Sequence, residues 1–440
     1  MALESPGAFH PETRLYRFTI LLFISLLVLG SYFAYDSIGA LETTLMQELH
    51  LTRSTIGNLY TAYSVAAIAI VFFGGILYDK LGPRRASLLF SSLVFVGAVM
   101  VALAKSKWML FGGRLIFGAG SESLIVVQSA IISRWFKGKE MAMAFGIALT
   151  ISRVGTLFSF NTEELIARYF GGFRPALWAA ALLCLFSVLC NLVYNVMDKH
   201  GEKVLALPKP DAGDKIVLSD IGKFSSSYWL VVLLCVTFYS AIFPFTALAT
   251  DMFHGKWGLP LVSPSSGSFL SQVFFNFTHM FTTAPGITSI VIAASMIFAP
   301  FAGDLVDRIG KRAPLMVLGS LILIPAHLLM GVTHWNPIPM MVMLGAAFVL
   351  VPAAMWPSVP LVVDEKRVGT AFGLMTAIQN LGLGLFPFLN GWLRDRTGTY
   401  TATQIMFAGL CVAGLVFAFL LLRSDKRLGG VLEAGRAKDA

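Results

Sequence analysis

Gly75-Ile76-Leu77-Tyr78-Asp79-Lys80-Leu81-Gly82-Pro83-Arg84 and Gly303-Asp304-Leu305-Val306-Asp307-Arg308-Ile309-Gly310-Lys311-Arg312 are two versions of one loop, 228 residues apart. Each stands where one long apolar run ends and the next begins. A second pair keeps nearly the same offset: Ala144-Phe145-Gly146 with Arg153-Val154-Gly155, against Ala371-Phe372-Gly373 with Asn380-Leu381-Gly382. Two matched landmarks at matched separations describe a chain of two similar halves. Duplicated sets of apolar segments are a common build of membrane transporters.

The composition sets the solvent. Of 440 residues, 56% are hydrophobic and 13% charged, where a soluble domain carries about a quarter charged residues. Twelve spans of about 20 apolar residues would occupy roughly 240 positions, which matches the hydrophobic complement of the chain. A soluble multidomain protein is excluded. Apolar runs and their polar breaks predict spans near residues 16–38, 54–77, 86–104, 108–133, 141–169 and 175–197. The second half adds 228–250, 287–306, 314–332, 339–363, 368–392 and 401–422. Glycine and proline within them are compatible with helix, because neighbouring helices satisfy freed backbone groups. The expected fold is an all-α membrane protein, with twelve transmembrane helices in two pseudo-symmetric six-helix bundles. Residues 1–197 form the N-terminal bundle, 198–227 a cytoplasmic linker, and 228–440 the C-terminal bundle with a short cytoplasmic tail.

More than two-thirds of the 33 Lys and Arg residues fall in segments on the N-terminal side of the membrane. That asymmetry predicts cytoplasmic termini, and the net charge of +9 is a topology signal. A nucleic-acid reading would require a solvated basic patch interleaved with aromatics, which the sequence lacks. No cleavable signal peptide is visible, since the first span is too long for an h-region and Glu4 and Glu12 precede it. Cys184, Cys190, Cys235 and Cys411 all lie inside spans, so packing is their expected role, and no metal or other cofactor is expected. Residues 262–284, rich in Phe and Ser, read as an amphipathic interfacial segment on the outer side. Asn276-Phe277-Thr278 within it is a formal glycosylation triplet, a pattern frequent by chance.

The repeated loops are candidate gates. Asp79 ends one helix and Lys80, Arg84 and Arg85 precede the next; Asp307, Arg308 and Arg312 take the matching places. The glycines permit a tight turn. A carboxylate there can cap a facing helix N-terminus, where the dipole favours an anion. The basic residues can pair with carboxylates across the cytoplasmic seam and stabilise an outward-open state. A plain positive-inside loop is the bland alternative, and the second aligned copy favours the gate.

Two charges stand near mid-depth within the spans. Glu122 is about 14 residues into the fourth span and Arg153 about 13 into the fifth, so at 1.5 Å per residue both lie roughly 20 Å from their starting surfaces. Ionised groups at such depth are costly unless they face a partner or a wet cavity. Either they pair with each other and pin two helices, or they face a central cavity and receive a ligand's opposite charges. Repeat asymmetry favours the second: Arg153 aligns with Asn380, and Glu122 with an apolar position near Val349. The C-terminal half offers Trp356, Gln379 and Asn380 at comparable depth. Tyr32 and Tyr35, three apart on one helix face, and Tyr63 can add phenol contacts. Packing or an interface belt is the alternative for the tyrosines, above all for Tyr60 and Tyr63. One cation site and one anion site suit a zwitterion. An extended dipeptide spans about 7 Å, and helices about 8–10 Å apart can present Glu122 to its amine and Arg153 to its carboxylate. A guanidinium fork suits a carboxylate better than lysine does.

The glycine–aspartate–basic loops resemble the signature of the major facilitator superfamily, and Gly113-Arg114-Leu115-Ile116-Phe117-Gly118-Ala119-Gly120 resembles its fourth-helix motif. Narrower stretches resemble the lysosomal dipeptide uniporters of that superfamily. They are Gly30-Ser31-Tyr32-Phe33-Ala34-Tyr35-Asp36, Gly120-Ser121-Glu122-Ser123-Leu124, Trp135-Phe136-Lys137-Gly138-Lys139-Glu140, Arg153-Val154-Gly155 with Asn161, Ile378-Gln379-Asn380-Leu381-Gly382-Leu383 and Trp356-Pro357. The resemblance implies dipeptide recognition, amine at Glu122 and carboxylate at Arg153, and uniport without proton coupling. It also implies an accessory membrane subunit, which the Phe-rich segment after the seventh span disfavours here. The N-terminal tail shows no acidic dileucine signal, so a bacterial inner membrane is the expected location, and the lysosomal membrane for a eukaryotic chain.

Within transport, a proton symporter or organic-anion exchanger are the alternatives. A guanidinium beside Glu122 would keep the carboxylate ionised, which disfavours proton cycling, and an anion exchanger leaves Glu122 without a task. A sensor or an intramembrane enzyme is more remote. The chain shows no paired-aspartate, Ser/His or zinc-helix pattern, and His327 stands alone in its span as a packing or hydrogen-bonding residue.

Overall fold

A computed structural model describes residues 10–136, 140–205, 218–364, 367–427 and 429–433. Its helices in chain order are α1 (Arg14–Ala40), α2 (Glu42–Leu49), α3 (Arg53–Ala102), α4 (Lys107–Phe136), α5 (Met141–Phe170) and α6 (Phe173–Leu205). After them come α7 (Ser226–Thr246), α8 (Ala249–Trp257), α9 (Phe269–Thr278), α10 (Ala284–Ile309) and α11 (Arg312–Val332). The chain closes with α12 (Ile338–Met355), α13 (Val359–Val362), α14 (Val368–Thr397) and α15 (Thr401–Arg427). Ten helical segments among the described residues are long and apolar enough to cross a bilayer. The first limb of α3 and α10 are helical over the two remaining expected spans.

Local chemistry sets the helix ends. Thr13, Thr52, Ser225, Ser268 and Thr283 each accept a backbone N–H in the first turn of the helix they precede, satisfying a donor that would otherwise be orphaned. Both copies of the repeated loop turn on a glycine of positive φ. Gly82 (φ 73°) breaks α3 into two limbs, and Gly310 (φ 74°) ends α10 before α11. Both adopt the positive φ that a β-carbon disfavours, so the aligned glycines serve as the turns expected of them.

Two buried apolar cores result. The first is drawn from residues 16–197 together with Ala247 and Leu248, the second from residues 228–432. Helices α1 to α6 thus pack around one centre and α7, α8 and α10 to α15 around another. Against the first, α14 lies along α3 and α10 along α5. Where α1 begins and α15 ends is here the terminal face; the end holding α2 and α8 is the distal face.

On the terminal face Arg84 and Arg134 find carboxylate partners in their own half, not across the seam as expected. Arg84 Nη1 pairs with Glu202 at 2.7 Å and Asp198 at 3.5 Å. Asp198, fully buried, also meets Arg134 at 3.3 Å and accepts from Trp135 Nε1 at 2.9 Å. Arg85 is exposed, and the buried Nε of Arg312 has no hydrogen-bond partner. The side chains of Asp79, Asp307 and Arg308 lie outside the described residues.

The amphipathic segment contains α9, which lies beside the distal end of α5. Phe269 meets Tyr169 at 5.3 Å and Phe170 at 5.5 Å, and Phe277 meets Phe158 at 4.8 Å. Leu270 and Phe274 point outward, 76% and 72% exposed. Asn276 points inward: its amide donates to the Asn161 carbonyl at 2.7 Å and accepts from Ser263 N–H at 3.2 Å. A glycan on that nitrogen is incompatible with this packing.

Candidate functional site

Helices α1, α3 and α4 bring four polar groups together. Ser31 and Ser121 hydroxyls are 2.6 Å apart, the Tyr63 phenol is 3.2 Å from Ser121, and that phenol donates to Glu122 Oε1 at 2.8 Å. The chain of bonds fixes the Glu122 carboxylate on a helix face that stays half-buried. Arg153 is also half-buried. It reaches across the seam, donating from Nη1 to Ser295 of α10 at 3.0 Å and lying 5.0 Å from the Phe348 ring. Tyr32 stands near enough to both Glu122 and Arg153 to feel each charge.

Glu122 and Arg153 therefore do not pair with each other. The architectural alternative, a self-contained pair locking α4 to α5, is not what the fold builds. The guanidinium expected beside Glu122 is replaced by the Tyr63 phenol, so the argument that Arg153 keeps this acid from cycling a proton loses that support. Each charged group is held by neutral hydroxyls, and each lacks a charged partner at the level where one is most needed.

The C-terminal half supplies an aromatic wall. Trp356 donates from Nε1 to the Tyr239 phenol at 2.9 Å and stacks on Phe372 at 5.9 Å. Tyr239 stacks on Phe243, and Phe348 meets Phe243 edge-on at 5.3 Å. Asn380 is buried; its amide donates to the Thr376 carbonyl, while its Oδ1 has no partner. Gln379 is half-buried.

Tyr35 has other work. With Tyr60, Tyr63 and Phe117 it encloses the Arg114 guanidinium, each ring centre 5.2–5.4 Å away. Arg114 is 1% exposed, and the quadrupoles of four rings offset part of the cost of burying its charge. Tyr32 and Tyr35 share a helix face, but only Tyr32 lies within electrostatic reach of both Glu122 and Arg153. His327 is a buried hydrogen-bonding residue, its Nδ1 2.8 Å from Gln404 Oε1.

Sequence reasoning missed the distal seam, which is closed. Arg53 donates from Nε and Nη2 to Asp251 at 2.6 and 3.0 Å, and its Nη1 is 3.8 Å from Asp395. Asp395 also accepts from the Ser54 backbone and hydroxyl. Glu42, fully buried, accepts from the Asp251 backbone N–H, and the Tyr400 phenol donates to Asp251. Deeper, Thr61 donates to the Gly384 carbonyl at 2.6 Å and Asn161 to Ser289 at 3.0 Å. The sequence signal was sparse: isolated charges at span ends, in loops where few cations occur.

Comparison with known proteins agrees with this build. Residues 23–286 and 279–438 match the model of the Major Facilitator Superfamily. The chain is 34% identical to the lysosomal dipeptide transporter MFSD1 of Danio rerio, covering 96% of this chain and 90% of that protein. It is 32% identical to the Homo sapiens protein of that name, covering 98% and 92%. A crystal structure of a bacterial homologue of the human lysosomal transporter Spinster superposes with TM-score 0.70 at 15% identity, covering 97% of this chain and 100% of that one. Its two apolar cores, its glycine-turned loops and these matches make this chain an integral multi-pass transporter that belongs to the Major Facilitator Superfamily.

Proposed function

We propose that the chain moves dipeptides across its membrane by alternating-access uniport, with Glu122 receiving the amine and Arg153 the carboxylate. The reading includes twelve spans, cytoplasmic termini, and two bundles, 1–197 and 228–440, that rock about the site with residues 198–227 as their linker. One observation carries it: two opposite charges, both within electrostatic reach of Tyr32, are each held by a neutral hydroxyl instead of by one another. A free zwitterion offers both missing partners at once. Trp356, Tyr239 and Phe348 give walls that tolerate varied side chains, because stacking and dispersion are weakly selective. The name carried by the vertebrate relatives, a lysosomal dipeptide transporter, supports the same cargo.

Counterflow in proteoliposomes at equal pH tests it. Unmodified dipeptides should exchange without a proton gradient. N-acetylated or C-amidated forms should compete about tenfold to a hundredfold less well, since each loses a charged hydrogen bond of about 1.5–3 kcal/mol. Equal competition by blocked peptides would sink two-ended recognition. Uptake that needs an imposed proton gradient would replace uniport with symport.

A further inference from the structure

From the distal seam we infer that Glu42 is a proton-binding site, whose proton is taken up when this face closes and returned to the same side when it opens. The proton then regulates the carrier without being transported. This rests on the alternating-access reading above, though not on its cargo.

The geometry leaves Glu42 short of charge. It is fully buried in the closed state, Oε1 accepts only the Asp251 backbone N–H, and Oε2 has no partner. Around it stand Asp251 from α8, Arg53 and Tyr60 from α3, Tyr400 ahead of α15, and Glu164 from α5. The only cation in that set, Arg53, is committed to Asp251 and Asp395. Asp251 has the guanidinium and the Tyr400 phenol, Asp395 remains partly in water and takes the Ser54 donors, and Glu164 takes the Thr44 hydroxyl. Within that set Glu42 is the acid with least compensation; Glu163, beside Glu164 on α5, is a further buried acid with neither carboxylate oxygen bonded. The N-terminus of α8, which has no side-chain cap of its own, favours an anion there. That contribution is small beside the cost of sealing an unpaired carboxylate against a second one.

The sign follows from the two states. Burial, then the Asp251 carboxylate, holds the closed-state Glu42 carboxyl well above the ordinary range. Once α8 leaves α2, the group meets water and titrates as an ordinary carboxyl. Closed protein therefore binds the proton more tightly, and acid favours closure. The effect is complete below the ordinary carboxylate range and is lost as pH rises through the raised closed-state value. One proton can move the open-to-closed ratio by at most about tenfold per pH unit.

The probe is a cysteine in place of Thr61, whose hydroxyl is bonded behind the closed seam, in full-length protein whose four native cysteines are buried. A membrane-impermeant maleimide is added on the distal side of proteoliposomes buffered identically inside and out, with no peptide present. Rates are normalised to a cysteine at exposed Asn336, which cancels thiol ionisation. Labelling should be at least about fivefold slower at pH 5 than at pH 8. Glu42→Gln should flatten this dependence, and Asp251→Asn, which removes the adjacent charge, should move it to lower pH. Internal pyranine should report no proton entry during dipeptide counterflow at equal pH. An unchanged pH slope in folded Glu42→Gln, a slope absent from the wild type, an unmoved profile in folded Asp251→Asn, or stoichiometric proton entry would each overturn the inference. Failure of peptide exchange alone would count against the cargo and leave the labelling result standing.

Discussion

Arg153→Ala should reduce dipeptide counterflow by at least about thirtyfold, since truncating one partner of a buried charge pair costs about 2–5 kcal/mol. Substrate carboxylate is the partner lost. Neither Ser295 nor the Phe348 ring carries charge, so the wild-type guanidinium has unused donors to offer. Arg153→Lys should recover only part of the loss, because an ammonium cannot reproduce the two-pronged contact. Glu122→Gln should act in parallel on the amine. The fold should survive both changes: Arg153 gives up one hydrogen bond, a contribution of about 1 kcal/mol. Ser295→Ala separates the roles, since it frees Arg153 from α10 while keeping the cation. Exchange that persists in folded Arg153→Ala, with unchanged preference for a free carboxyl end, would remove Arg153 from the site.

The fold was legible because its signals are long and repeated. A duplicated glycine–aspartate loop and apolar runs of bilayer length both average over many residues. Gly82 and Gly310 could be paired from sequence, and both adopt a positive φ. The site was legible only in part. Glu122 and Arg153 stood out because a charge at mid-depth is expensive whatever surrounds it. Their partners did not, because Tyr63 and Ser295 are ordinary residues in apolar helices, and only packing puts their hydroxyls against those charges. Tyr35 shows the same limit from the other side. Its helix face was read correctly, yet a neighbouring arginine from α4 claims its ring. The distal seam was invisible because Arg53, Asp251 and Asp395 are remote in sequence and each alone looks like a loop charge. Salt bridges between repeats leave no periodic mark.

Gly57→Leu should all but abolish transport while leaving both bundles folded. A β-carbon on Gly57 would stand 2.2 Å from the Pro387 carbonyl oxygen, and one on Gly391 would stand 2.3 Å from that of Arg53. Both obstacles are backbone, which cannot swing aside as a side chain can. Helices α3 and α14 thus meet along small residues, the close approach that lets transmembrane helices pack without a hydrophobic driving force. A leucine must hold them apart on the distal face. Overpacking costs about 1–3 kcal/mol in an adaptable core, and an unyielding backbone places this wedge at or beyond the upper end. The closed state should lose about a hundredfold in population relative to the open one. A carrier that cannot close this face cannot complete its cycle, although each half retains its own apolar core. Distal labelling at Thr61→Cys should become fast and pH-independent in the same background. Gly409→Leu is the control, for that glycine has open space around it and should tolerate the side chain at full activity. Wild-type exchange in Gly57→Leu, with slow labelling retained, would mean that α3 and α14 need not approach this closely during transport.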